Sequence, residues 1–231
     1  MNLTQDIVRR LEKDILGGDY PPGSRFPSER EIAAKYGISR ATARETVKSL
    51  SQLGLLATRP QSGSVVSDYE SEASLDLLIH IMKHREVDTG IILPLMEFRK
   101  VVEVHAAGSA AEKAGEDDIA PLDEIVSRER EAGITPEDMT TCDYELHLAL
   151  VRLSGNLVIK LVFNSFRPVY RMYTELFFGL SGAIETTVEQ HGRLVDAIRL
   201  KDADAARRVM AEALDYGERR VRESLGIGAG R

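Results

Sequence analysis

The sequence holds one cysteine, Cys142, no tryptophan, and only 6% aromatic residues. A lone thiol closes no internal disulfide, so the chain is not a disulfide-stapled scaffold and suits a reducing compartment. Cys142 reads as a small core residue. No run of eighteen apolar residues occurs, which excludes a membrane-spanning helix. The opening residues, MNLTQDIVRRLEKDILGG, scatter charges where a secretory signal needs an apolar stretch, so a cytoplasmic protein is expected. No internal repeat or low-complexity tract stands out. What remains, 231 residues with 43% hydrophobic and 29% charged, is ordinary for one large globular domain or two small ones.

A basic balance is also lacking: the net charge is −7. That sits badly with nucleic-acid binding until the chain is divided. Residues 1–69 carry ten Lys and Arg against eight Asp and Glu, a balance of +2. The remainder carries twenty against twenty-nine, a balance of −9. Such asymmetry separates a part that can meet a polyanion from a second module. The small excess means that the placement of the cations, not their number, must carry any DNA contact.

Turn chemistry and apolar spacing give the organisation. Ile7, Leu11 and Ile15 recur every four residues and predict a helix over Thr4–Leu16, stopped by Gly17 and Gly18. DYPPGSRFP is a loop stiffened by prolines. Ser28 is placed to cap a helix over EREIAAKY, with Glu29 and Glu31 in its first turn and Gly37 ending it. Ser39 is placed to cap a second helix over RATARETVKSLSQLG, closed by Gly54, with Val47, Leu50 and Leu53 as its buried face. LLATRPQSGSVVSD predicts a small hairpin about Pro60, Ser62 and Gly63. The polar stretch SDYESEAS marks a boundary, giving domains at 1–69 and 70–231. Beyond it, helices are predicted over 75–86, 90–114, 117–132, 136–153, 156–178, 184–200 and 203–224. The fold class is therefore mainly α: a winged helix-turn-helix followed by an all-helical bundle able to enclose a cavity.

Two helices joined by the three-residue turn GIS form a helix-turn-helix, whose second helix enters the DNA major groove by its N-terminus. That end offers Ser39, Arg40, Thr42 and Arg44. Guanidinium forks match guanine edges or phosphate, and hydroxyls and helix N-terminal amides match phosphate oxygens. Ser28 and Arg30 would reach the flanking backbone, and Arg59 and Gly63 of the hairpin the neighbouring minor groove. These residues resemble the GntR family of bacterial transcription regulators. The likeness runs from Pro22-Gly23 through Pro27-Ser28-Glu29-Arg30 and Gly37-Ile38-Ser39-Arg40 to Thr42, Arg44, Leu50 and Gly54. It implies DNA contacts from Arg30, Ser39, Arg40, Thr42, Arg44 and the wing tip near Gln61. The wing departs from the family pattern, because Gln61 stands where a first glycine is usual while Gly63 remains.

In the second part, Asp143 and His147 are four apart, so one helix face presents a carboxylate beside an imidazole. His191, on a later helix, can pack opposite. A carboxylate and two imidazoles make a candidate site for Zn²⁺ or a similar divalent metal. The bland alternative is a surface pair or a hydrogen-bonded core histidine. His80 and His84 share the same spacing without a companion and read as surface residues, and His105 as packing. LMEFRKVVE, CDYELHLALVRLSGN and EQHGRLVDAIRLKDADAARRVM are similar to the FCD ligand-binding domain of the FadR branch of that family. The resemblance implies an effector-binding domain, with Arg99 and Asn156 at the effector and a homodimer reading an inverted-repeat operator. It also implies a fourth metal ligand, a histidine, at the position of Ala213; Glu212 and Asp215 lie nearby but are turned off the site by the helix.

Three functions follow. The first is a DNA-binding regulator, a repressor by the family's commoner mode, answering to a small carboxylate through a bound metal. The second is an acyl-CoA-responsive regulator of the FadR type without metal, which the aromatic run FNSFRPVYRMYTELFF and Ala213 favour and the retained histidines oppose. The third is a metalloenzyme on the two-histidine, one-carboxylate set. The helix-turn-helix favours a regulator over an enzyme. Arg99 is open to either role, gripping an effector carboxylate or pairing with Glu103 or Asp143.

Overall fold

The computed structural model describes residues 3–59, 63–84 and 89–227. The chain divides by packing into two compact units, Met1–Arg85 and Glu86–Arg231. Among the described residues no helix is long and apolar enough to cross a membrane.

The first unit contains α1 (Leu3–Leu16), α2 (Glu29–Tyr36), α3 (Arg40–Gln52), the strands β1 (Leu56–Arg59) and β2 (Gly63–Val66), α4 (Tyr69–Glu72) and α5 (Leu75–His84). Ile7, Leu11 and Ile15 of α1 are buried as their spacing requires, with Phe26, Ile32 and Leu50. The local signals act as read. Ser28 Oγ accepts from the Glu31 amide while the Glu31 carboxylate accepts from the Ser28 amide, a reciprocal capping box. Gly37 adopts φ 64°, a left-handed cap that a side chain would strain. The strands pair antiparallel with Leu56 opposite Val66, and residues 23–26 bond along β2.

Three details differ from expectation. The buried stripe of α3 is Ala43, Thr46 and Leu50, not Val47, Leu50 and Leu53. Thr46 can be buried because its hydroxyl donates to the Thr42 carbonyl at 3.0 Å. Packing also draws the division at 85/86 and not at 69/70. Residue 73 lies against Gly54, and His80 Nε2 meets the buried Glu12 carboxylate at 2.7 Å, so His80 is no surface bystander. The third is α4, a single short turn of helix within SDYESEAS.

The second unit is a bundle of α6 (Thr89–Lys113), α7 (Ile119–Glu129), α8 (Pro136–Leu153), α9 (Leu157–Ser165), α10 (Arg167–Phe178), α11 (Ala183–Arg199) and α12 (Ala203–Ser224). The long α6 runs through it, packing on α8, α11 and α12. Ala106, Ala107, Ala110, Ala111 and Ala114 are all but fully buried, and their small side chains let neighbouring helices approach closely. Cys142 lies in this core, whereas His105, expected in packing, is exposed. The helix predicted over 156–178 is two. Pro168, at the start of α10, has no amide to donate to a continuing helix, so the chain breaks at Phe166. The break turns α10 so that Tyr170 and Tyr173 face inward.

Candidate effector centre and nucleic-acid interface

The DNA-reading candidates of the first unit stand in water. Ser39, Arg40 and Arg44 are exposed at the start of α3, and Arg30 at the start of α2. Ser39 caps α3, taking the Thr42 amide at 3.1 Å and sharing a hydrogen bond with the Thr42 hydroxyl at 2.9 Å. Arg44 Nε lies 3.5 Å from Glu29 across the two helices, an exposed and weak pair. Arg40 makes no ion pair among the described residues. Ala43 and Thr46 are buried while Arg40 and Arg44, one turn apart, stay exposed beside that stripe. Gly63 begins β2 with φ 80°. Gln61 and the Arg59 side chain lie outside the described residues.

The second unit builds the opposite kind of place. Asp143 and His147 of α8 and His191 of α11 are all buried, and each offers one ligand atom within 4.8 Å of the others'. His147 Nε2 is 3.7 Å and His191 Nε2 3.6 Å from the same oxygen, Asp143 Oδ1. The far nitrogen of each ring is held by a buried carboxylate. His147 Nδ1 bonds Glu103 of α6, and His191 Nδ1 lies 2.8 Å from Glu129 of α7. A carboxylate behind each imidazole fixes ring orientation and leaves Nε2 facing the centre, the arrangement that supports metal-ligating histidines. Asp143 is steadied in turn, its Oδ2 accepting from the Tyr170 hydroxyl at 2.5 Å.

Arg99 closes the network. Its Nε donates to Glu103 Oε1 at 2.6 Å, and Nη2 donates to Glu103 Oε2 and to the Tyr170 oxygen, both at 3.2 Å. The guanidinium lies over the Tyr170 ring at 4.3 Å. Burial alone would raise the Glu103 pKa, but Arg99 and then His147 bring it down to about 2. Burial opposes charge on His191 too, and the Glu129 carboxylate overcomes it, holding that ring above its usual range. Arg99 is thus a structural ion-pair partner through two nitrogens, and Nη1 has no hydrogen-bond partner among the described residues.

A cavity of about 30 Å³ adjoins the three donors, with Arg99, Tyr173, Gln190 and Ala213 in its wall. A second void of about 10 Å³ lies on the other side of Arg99, between Phe98, Phe163 and Phe166. Glu212 and Asp215 point elsewhere, pairing with Arg193 and Lys100. Asn156, expected at the effector, is instead the N-cap of α9, its Oδ1 accepting from the amides of Val158 and Ile159 at 3.0 and 3.2 Å. It is absent from the cavity wall. An asparagine just before the apolar run LVI is a legible capping signal. Glu129 carried no local signal, since it meets His191 across 62 positions of sequence.

Residues 94–216 match the FCD domain family, and residues 3–66 match the gntR family of bacterial regulatory proteins. The Uxu operon regulator of Haemophilus influenzae is 31% identical over 217 residues, covering 90% of this chain and 78% of its own. The galactonate operon transcriptional repressor of Escherichia coli is 27% identical over 225 residues, covering 96% and 98%. The solved structure of Streptococcus agalactiae GntR is 27% identical, covers 96% of this chain and 100% of its own, and superposes with a TM-score of 0.50. Winged helix-turn-helix, helical bundle and matched domains agree: the chain belongs to the GntR family of DNA-binding transcription regulators, with an FCD effector domain as its C-terminal part.

Proposed function

We propose that this regulator is a repressor whose operator binding is set by a small carboxylate, sensed beside a divalent metal held by Asp143, His147 and His191. The carrying observation is that both Nε2 atoms face one Asp143 oxygen while both Nδ1 atoms are locked by buried glutamates. Charge supports it. With neutral imidazoles, Glu103, Glu129 and Asp143 against Arg99 leave a formal −2 in a buried centre, which a divalent cation cancels. Bound there, the metal would supply a Lewis-acidic anchor for an acid, and Arg99 Nη1 a second cationic contact. One relative is named for a galactonate operon, and galactonate is a carboxylate. Two copies would read an inverted repeat through Arg40, Arg44 and their neighbours.

Cavities of about 30 and 10 Å³ beside Arg99 suit an ion with a small acid better than a long acyl chain, which weighs against the acyl-CoA alternative. An enzyme on the same donors would need a spare base, and the adjacent glutamates are both engaged with imidazoles. The test is elemental analysis of untagged protein purified without chelator, before and after zinc addition. One ion per chain, lost in His147→Ala while effector-free operator binding persists, is the expected result. Protein that stays metal-free in excess zinc sinks the metal assignment.

A further inference from the structure

The outward side of α3 carries a cation that the reading of its N-terminus leaves unused. Ala43, Thr46 and Leu50 form the buried stripe of this helix. Arg40, Arg44 and Lys48 follow one another at intervals of four residues, and all three are exposed. At about 100° per residue, each such step turns the side chain about 40° further round the helix. The row therefore winds away from the buried stripe: Arg40 stands beside it, Arg44 further out and Lys48 nearly opposite. Ala41 shares that outermost line, two turns before Lys48, and is exposed too.

A recognition helix turns its solvent-facing side to the groove. Ala41, whose side chain is a single methyl group, lets the backbone close on the base edges there. Lys48 comes later, where the helix climbs from the floor of the groove toward its wall. From Arg40 to Lys48 the helix rises about 12 Å, at about 1.5 Å per residue, and the major groove is about 12 Å wide. A helix whose first turn reads bases thus brings Lys48 level with the phosphates at the groove's edge. The chemistry agrees. An ammonium on a flexible stem is a point charge that suits a phosphate oxygen, and it lacks the planar fork that selects guanine. Lys48 is also uncommitted. Its side chain is 63% exposed, and its one ion pair among the described residues, with Glu45 at 4.0 Å, is an exposed and weak one. We infer that Lys48 is a further DNA contact, a phosphate clamp on the rim of the major groove that steadies α3 while Arg40 and Arg44 reach the bases. Such a clamp presupposes that α3 enters the groove by its Arg40 end, as proposed above.

The experiment measures binding of the full-length protein to two duplexes over a range of salt concentrations. One duplex has a random sequence; the other is the operator that the protein selects from a random pool. The logarithm of the binding constant falls linearly with the logarithm of salt, and each phosphate contact contributes about 0.9 to the slope. Lys48→Gln is expected to make the slope shallower by about 0.9 on both duplexes and to weaken both by the same factor, with an unchanged thermal midpoint. Lys48→Arg, which keeps the charge, is expected to keep the slope. Lys201→Gln removes the same charge from the exposed turn after α11 and sets the effect of net charge alone. A slope that Lys48→Gln changes no more than Lys201→Gln does overturns the clamp. So does a loss confined to the operator, which makes Lys48 a base reader instead. Arg40→Ala in the same series separates the clamp from the reading beneath it. If it weakens operator binding while Lys48→Gln does nothing, the clamp alone falls. If neither variant matters, α3 does not enter the groove by this end, and the clamp falls with that reading.

Discussion

The two units treat charge in opposite ways. At the start of α3, Arg40 stands in water without an ion pair among the described residues, and Arg44 has only an exposed contact to Glu29. Between α6, α7, α8 and α11, an arginine, three carboxylates and two imidazoles are buried, and each is bound to a neighbour. A surface meant for a polyanion keeps its cations hydrated and uncommitted, because phosphates and base edges are their intended partners. A sensor that must stay folded around its polar centre can leave open only what its ligand will fill. On the proposed reading, those openings are the Nε2 atoms of His147 and His191 and Arg99 Nη1.

That contrast can be broken from either side. The largest effect belongs to Glu103→Ala, which strips Arg99 and His147 of a shared buried partner. It should cost about 3–5 kcal/mol of stability in urea denaturation. A loss below about 1 kcal/mol would mean that the network is not holding these charges. Next comes Arg40→Ala, with specific operator binding weakened by about 1–3 kcal/mol and unfolding unchanged. An equal loss on random DNA would make Arg40 a phosphate contact. Ser28→Ala removes one half of the capping box and should lower stability by about 1 kcal/mol, read by the denaturation midpoint of α2. The smallest effect is Glu29→Ala. Its exposed pair with Arg44 makes the expected stability change less than about 0.5 kcal/mol, while losing an acid beside the DNA face tightens non-specific DNA binding. A stability loss as large as that of Glu103→Ala would erase the distinction between the units.

Legibility in the sequence follows the same division. The helix-turn-helix was readable because its determinants are local: the contacts of Ser28 with Glu31, of Gly37 with Ala33 and of Ser39 with Thr42 each span no more than four residues. Asp143 and His147 share one helical turn and were equally plain. The error at Val47 and Leu53 came from counting apolar residues alone, since Thr46 is buried by bonding its hydroxyl to the preceding turn. Pro168 carried the break between α9 and α10, and a continuous apolar pattern overrode it. Glu129 and Tyr170 as partners of His191 and Asp143 depend on which helices meet, and spacing along the chain does not encode that.

The buried alanines of α6 have a consequence far from their own contacts. Ala107, Ala110, Ala111 and Ala114 share one core cluster with Ala206, Val209, Met210 and Leu214 of α12, so methyl groups set how near the two helices stand. Ala213 and Gly217 ride on that same helix and form one wall of the cavity. A single added methyl group in the stripe would push α12 outward and widen the chamber without altering any residue that lines it. On the proposed reading of this cavity as the effector's site, the accepted effector size can drift through substitutions that never touch it, and a search for altered specificity should include these alanines.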